Sequence, residues 1–430
     1  MTELIAILDG VEVGRIHQNA GRLKFRYCER WQGLQGAYPI STAMPLLIQD
    51  HSHAKIEPFL WGLLPDNEQA LSRWGQHFQV SPRNPFALLS NVGEDCAGAI
   101  QFVPPEKLDQ LMGEAASEDV GWLDESAISE RLKLLKNDAG AGRIAGDKGQ
   151  FSLAGAQPKT AFLRDESRDR WGVPSGRTPT THIFKPPTGE FDGFAENEHL
   201  CLAVARQVGL AAASSEILTF GDQIAIVVKR YDRRRHDQTN KVSRVHQEDF
   251  CQALSVPPTK KYQNQGGPSP LNILQHLRSH IPAAVERESD VMRFCDALIF
   301  NWLIVGSDAH AKNYSILIGG EGRVRLAPLY DVISLLPYGD QNPLRAKLAM
   351  KIGDEYAVDK ITNAEWAKFS AAARVSKDKL FERIKELSRA LPDAFAQQAA
   401  RMRSQGLDHA ILDEIKDAVA ERCARTFRST

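Results

Sequence analysis

A chain of 430 residues with 53 Lys and Arg against 54 Asp and Glu has almost no net charge, so no global field argues for nucleic acid or a membrane surface. That length exceeds one small core and points to two or three domains, or one domain with a large accessory lobe. Six scattered cysteines without a Cys-x-x-Cys pair exclude a disulfide framework or zinc site, and no apolar run approaches the roughly 20 residues that span a bilayer. The apolar start over residues 4–8 is too short and too uncharged for a signal peptide, so a cytoplasmic protein is expected.

In chain order, short apolar runs punctuated by Gly and Pro predict strands over residues 3–8, 11–16, 23–27 and 99–103. Helices are predicted between them over 56–63 and 67–78, and Pro104-Pro105 closes this unit. The acidic stretch 106–125 reads as a linker or surface segment. Strands follow over 159–164, 181–185 (stopped by Pro186-Pro187) and 224–228, with an amphipathic helix over 198–208 ended by Gly209. Beyond about Arg244 the pattern is helix-rich apart from short strands. This divides the chain into a β-rich front domain (1–110), a mixed lobe (126–243) and a helical lobe (244–430). No internal repeat or low-complexity tract is present.

The most informative segment runs Gly306-Ser307-Asp308-Ala309-His310-Ala311-Lys312-Asn313, followed at a distance by Tyr330-Asp331-Val332-Ile333-Ser334. Asp-x-x-x-x-Asn and then a second Asp is the polar set of a phosphoryl-transfer site. The first Asp accepts the proton of the attacking hydroxyl, and the Asn and second Asp hold magnesium on the phosphates. The short gap lets one loop aim both side chains at a single phosphate. His310 reads either as support for the Asp308 carboxylate, as a phosphate contact, or as a structural loop histidine.

Other parts are compatible with the same chemistry. Ser152-Leu153-Ala154-Gly155-Ala156-Gln157-Pro158-Lys159 is a small-residue loop whose backbone N–H groups could approach phosphates, or it is a plain β-turn. Lys185 ends a strand upstream, as the phosphate-pairing lysine of kinases does, or is a solvated strand end. Glu196 and Glu198 both offer a carboxylate to hold it, or complement a helix dipole, and periodicity does not choose between them. Val228-Lys229-Arg230-Tyr231 leaves an apolar strand where a two-lobed kinase has its adenine-reading hinge. The run Arg233-Arg234-Arg235 reads as a solvated loop or a basic patch.

Assembled, these motifs resemble the HipA family of serine/threonine kinases, the toxin half of type II toxin–antitoxin pairs. Leu63-Leu64-Pro65-Asp66, Pro85-Phe86-Ala87-Leu88-Leu89, Gln247-Glu248-Asp249-Phe250-Cys251-Gln252 and Lys347-Leu348-Ala349-Met350 match as well, so the resemblance covers nearly the whole chain. It implies an α/β two-lobed protein-kinase-like fold with a β-rich front domain and an all-helical C-lobe. It implies ATP and Mg2+ as cofactors, Asp308 as base, and Asn313 and Asp331 as metal ligands. Lys185 would bind phosphate with Glu198 as its partner. The loop Ser152, Ala154, Gly155, Ala156, Gln157 and Lys159 would cradle the phosphates, with Lys229 and Tyr231 at the hinge and Tyr330 beside the nucleotide. Ser152 matches the serine that family members autophosphorylate, which ejects the loop and switches the kinase off.

The implied partners are a small helix-turn-helix antitoxin (HipB-like), operator DNA through it, and a protein substrate such as the glutamate aminoacyl-tRNA synthetase; no membrane is involved. Two positions depart from the family pattern. Lys229 stands where Glu is found, and Pro158 replaces an acidic residue and stiffens the loop through its fixed φ. A small-molecule or lipid kinase on the same fold, or a corepressor pseudokinase, are the rival readings.

Overall fold

The computed structural model describes residues 2–112, 120–138, 140–141, 151–189, 191–239, 241–338 and 346–429. The chain forms two compact units that exchange segments along the sequence. The first comprises 1–186, 218–259 and 316–324; the second 187–217, 260–315 and 325–430. Neither unit is a single stretch of chain, whereas the sequence reading set boundaries at 110, 126 and 243.

The first unit opens with a five-stranded antiparallel sheet in the order Asp50–His51, Arg22–Tyr27, Val11–Asn19, Thr2–Leu8, Gln101–Val103. Gly14 is required where the second and third strands meet, since a Cβ there would lie 2.4 Å from the Arg26 carbonyl oxygen. The helices His53–Gly62, Glu68–Phe78 and Pro85–Val92 follow the strands, the last started by Asn84, whose side chain accepts from Ala87 N. The expected linker over 106–125 is corrected where it is described: Leu108–Met112 is helical and buries Leu111 against Ile5, Ile7 and Val103, and Val120–Leu123 is a strand. Residues 113–119 lie outside the described residues. Asp124, one residue further, caps the helix Glu125–Asn137.

A second sheet runs Ser215–Phe220, Gln223–Lys229, His182–Lys185, Thr160–Asp165, Arg170–Pro174, Val120–Leu123. Its core packs Phe162, Trp171, Phe184, Phe220 and Val227 under Ile128 and Leu132 of the helix. Phe184 meets Phe162 and Trp171 edge-on, each at 4.8 Å between ring centroids, a favoured geometry for aromatic quadrupoles.

Arg233, expected in solvent, is buried in this unit. Its guanidinium bonds Asp95 at 2.8 Å and approaches Asp232 at 3.1 Å, while Arg230 bonds Asp232 at 2.9 Å. Thr180 donates to Asp95 through both N (3.0 Å) and Oγ1 (2.7 Å), and Gly98 N donates to Asp232 at 2.7 Å. Despite desolvation, the surrounding arginines hold the Asp95 carboxyl far below the ordinary range and that of Asp232 down to about 2. Burial and the neighbouring Arg230 push Arg233 down to about 10, still charged at neutral pH.

The second unit is built from the helices Phe194–Gln207, Pro270–His280, Ala284–Leu303, Asn363–Ala373, Lys377–Ser404 and Ile411–Ser429. It is not wholly helical as expected: Lys347–Ile352 pairs with Glu355–Ala357 as a two-stranded hairpin. Trp302 packs edge-on against Trp366 at 5.4 Å, with the Arg422 guanidinium over the Trp302 ring. All six cysteines are free, and all but half-buried Cys28 are buried. No helix among the described residues is long and apolar enough to cross a membrane.

Two stability measurements follow from the buried charges. Asp95→Ala leaves Arg230 and Arg233 buried with Asp232 as the carboxylate both still meet and should cost about 3 kcal/mol, read as a lowered urea midpoint. Glu248 behaves oppositely: burial raises its carboxyl to about 7 against the hydrogen bonds from Ser41 and Thr42. Its unfolded value is roughly 4.3, so the folded chain holds the extra proton and this stabilisation is lost as pH rises through about 7. The wild-type midpoint should therefore fall between pH 6 and pH 8 more than that of Glu248→Gln.

Candidate active site

The sequence-predicted phosphate loop is held by front-domain backbone. Ser152 is wholly buried; its N donates to Asp95 O at 2.9 Å and its Oγ to Leu63 O at 2.7 Å. Asp66 N donates to Gly155 O at 3.1 Å, and Pro65 and Gly155 form a parallel bridge. The Leu63–Asp66 motif thus serves to seat this loop. Lys159 Nζ donates to Ala154 O at 2.8 Å, so its ammonium closes the loop on itself. Gly155 has φ +105°, and a Cβ there would fall 2.4 Å from Lys159 Nζ. Ala156 is exposed, while Ala154 and Gln157 are half-buried. A cavity of about 30 Å³ bounded by Trp74, Phe151, Leu153 and Gly155 lies beside the loop, room for a water-sized occupant and far short of a nucleotide.

In the same unit Lys185 ends the strand His182–Lys185 and is buried, with Ile226 as its cross-strand neighbour. Lys229 is exposed at the end of that neighbouring strand, its ammonium 3.8 Å from Glu166. Tyr231 Oη donates to Gln247 Oε1, and Gln247 Nε2 donates to Asp232 at 3.1 Å, which ties the expected hinge to the buried charges.

In the second unit three motif segments are hydrogen-bonded into one assembly. The helix Ala284–Leu303 ends in a tight turn where Val305 adopts φ +55°, and Gly306 N donates to Asn301 O at 2.7 Å. A Cβ on Gly306 would lie 2.2 Å from Asn301 Oδ1, so a larger residue there would displace the Asn301 side chain. Past this turn Asp308 is exposed. His310 N and Asn313 Nδ2 both donate to its carbonyl oxygen, at 2.8 and 2.9 Å. With its nitrogen so held, the Asn313 amide turns its oxygen away from that carbonyl. His310 is buried, its Nε2 4.0 Å from Asp308 Oδ1.

The second motif is anchored to the first. Tyr330 Oη donates to Lys312 O at 2.6 Å and shares a 2.6 Å bond with Ser315 Oγ. Asp331 sits at φ +56°, a left-handed conformation uncommon for a residue with a side chain and concentrated at functional sites. Leu329 is clamped to the 211–213 segment by two backbone bonds of 2.8 Å. Ser334 Oγ donates to Ile304 O at 2.6 Å. Ser334 also exchanges two bonds with the Asn197 side chain, at 2.8 and 2.9 Å, which docks the helix carrying Glu196 and Glu198. Both glutamates are buried, Glu198 completely.

One residue the sequence reading missed is Tyr262. Its hydroxyl donates to Asp308 Oδ1 and its ring meets His310 edge-on at 5.0 Å. No spacing rule connects it to the Asp308 segment, so only the fold reveals it.

The donors suit the expected metal. The Asn313 amide oxygen and the Asp331 carboxylate are hard oxygens, and Mg2+ takes one or two protein oxygens beside phosphates and water. Among the described residues no group of three or more His, Cys, Asp or Glu could hold a metal by itself.

The α+β fold with a β-rich N-terminal region and helical C-terminal region is that of the two-lobed kinase-like proteins. Its match to the HipA chain of the Shewanella oneidensis HipA, HipB and operator DNA complex has a TM-score of 0.81 at 25% identity, over 98% of this chain and 97% of that one. The HipA N-terminal domain model matches residues 4–103, and the HipA-like C-terminal domain model residues 151–395. The chain belongs to the HipA family. It is 35% identical over 96% of both chains to a Sinorhizobium fredii protein named "Putative kinase". It is 29% identical, over 93% of this chain and 89% of the other, to the serine/threonine-protein kinase toxin HipA of Shewanella oneidensis.

Gly155→Ala should distort the loop, since φ +105° is strained for any residue with a Cβ. The strain should cost about 1–3 kcal/mol of stability, read as a lowered thermal midpoint.

Proposed function

We propose that this chain is an ATP-dependent serine/threonine protein kinase and the toxin of a toxin–antitoxin pair. The observation that carries this reading is the single assembly of Asp308, Asn313 and Tyr330-Asp331, with the Glu198 helix docked on it through Asn197 and Ser334. Such a site works by positioning and by charge neutralisation, with little covalent chemistry asked of the protein.

In this reading Asp308 orients the acceptor hydroxyl. The acceptor oxygen bonds to the γ-phosphorus, its proton passes to the Asp308 carboxylate, and the bond to the β-phosphate oxygen breaks to release ADP. Asn313 and Asp331 would hold magnesium, which would neutralise charge on the phosphates. Lys185 binds phosphate, as the family resemblance implies, and so does the loop from Ser152 to Lys159. Lys229 and Tyr231 lie at the adenine hinge and Tyr330 beside the nucleotide. His310 supports the base.

Ser152 is the autophosphorylation site. A buried hydroxyl already donated to Leu63 O has no room for phosphate, so the loop must leave its seat first. The dianion then repels the nucleotide phosphates it would cradle. The Shewanella oneidensis complex with HipB and operator DNA supports an antitoxin partner for this chain. The substrate is a protein, with the glutamate aminoacyl-tRNA synthetase as first candidate, and the setting cytoplasmic.

Intact-mass spectrometry of the protein with Mg-ATP, beside Asp308→Ala, tests the reading. Wild type should gain one phosphate mapped to Ser152, and the variant should be slower by about 10²–10⁴-fold, the usual worth of a positioned base, with an unchanged circular dichroism spectrum. ATP binding without transfer would overturn it in favour of a corepressor pseudokinase.

A further inference from the structure

The contact between Tyr262 and Asp308 is built, not incidental. Tyr262 stands in the segment 260–267, which is fixed at several points within its own unit. Lys261 O accepts from Ala311 N at 3.3 Å, inside the catalytic segment. Gln263 Oε1 accepts from Lys351 N at 2.9 Å, in the hairpin that carries the Lys347–Met350 motif. Tyr262 O accepts from both Gln265 N and Gly267 N at 3.0 Å. Two glycines make this closure feasible. Gly266 has φ +88°, and at Gly267 a Cβ would lie 2.1 Å from Lys260 O and 2.7 Å from Tyr262 O. Ser269 then caps the helix Pro270–His280 through a reciprocal bond pair with Asn272, so the segment leads straight into a rigid element.

The outcome is a phenol aimed at the carboxylate. Asp308 is exposed, and the Tyr262 hydroxyl donates to its Oδ1, with His310 Nε2 4.0 Å from the same oxygen. An exposed aspartate samples several rotamers unless a held donor selects one, and only some orient an incoming hydroxyl in line with a phosphate. A base displaced by about 1 Å can lose 10²-fold in rate.

We infer that Tyr262 is the positioning residue of the base: its hydroxyl, held by the 260–267 loop against the catalytic segment, fixes the Asp308 carboxylate in the orientation that receives the acceptor's proton. The inference rests on the kinase reading and adds to it a residue outside every motif that suggested that reading. A plug that must swing away before substrate enters is the competing device. The loop's bonds to Ala311 and Lys351 on either side of Tyr262 oppose such a swing.

The test compares wild type, Tyr262→Phe and Tyr262→Ala by the rate of phosphate incorporation at saturating Mg-ATP, the ATP concentration for half-maximal rate, and thermal melting. Phe keeps the ring on His310 and removes only the hydroxyl. Both variants should lose about tenfold or more in maximal rate, with half-saturation by ATP within about twofold of wild type and the Phe variant melting as wild type does. A Phe variant at the wild-type rate, with only Ala impaired, would reduce Tyr262 to packing and overturn the inference. A faster Phe variant would make the hydroxyl a plug and overturn it equally, as would phosphate mapped to Tyr262 itself. A wild type that binds ATP and transfers nothing would remove the kinase reading and this inference together, an outcome distinct from the others because it appears before any comparison of variants.

Discussion

The Asp95, Arg230, Asp232 and Arg233 network is the constraint on which the first unit depends. Removing four charges from water is costly, and that cost is offset only when each charge meets an opposite one and the remaining donors find acceptors. Here Thr180, Gly98 and the Cys96 carbonyl supply those extra partners. Three distant stretches, near residues 95–98, 180 and 230–233, must therefore meet in one register. Ser152 inherits that register, because its N–H is bonded to the carbonyl of the same Asp95. A buried ion pair is weak evidence of net stability, but a misaligned register here would leave buried charges unpaired.

The second unit solves a related problem with neutral groups. Its three motif segments are joined by Asn197, Ser334 and Tyr330, each bonding a backbone group of another segment, while Asn313 bonds a carbonyl of its own. Side chain to backbone bonds fix loop position without introducing charge beside the reacting groups. The left-handed backbone at Val305 and Asp331 marks the two turns where the chain is bent to deliver those segments. Such conformations cost of order 1–3 kcal/mol each and persist only where the surroundings hold them.

The motif positions and the strands that lead to them were legible because they obey short-range rules. Asp308 and Asn313 share one loop, and Lys185 ends a β-branched and aromatic run that Pro186 must terminate. Several errors have local causes too. The helix now seen as Phe194–Gln207 begins earlier than periodicity suggested because Gly193, at φ +67°, already turns the chain into it. The acidic stretch before Asp124 looked like a linker because Val120–Leu123 is an edge strand with an exposed centre, which gives a weak apolar signal. Three consecutive arginines looked solvated, whereas strand alternation sends Arg233 inward and leaves Arg234 exposed.

What the sequence determined by itself was an ordered set of Asp, Asn, Asp, Lys and Glu and a family resemblance that the matching domains bear out. What only the tertiary structure decided was which partners orient that set. Tyr262 meets Asp308, Leu63 receives Ser152 and Asp95 receives Arg233 across long stretches of chain. Periodicity and spacing describe neighbours along the backbone. These contacts depend instead on desolvation and on the need to satisfy every buried donor, and both are properties of the packed molecule.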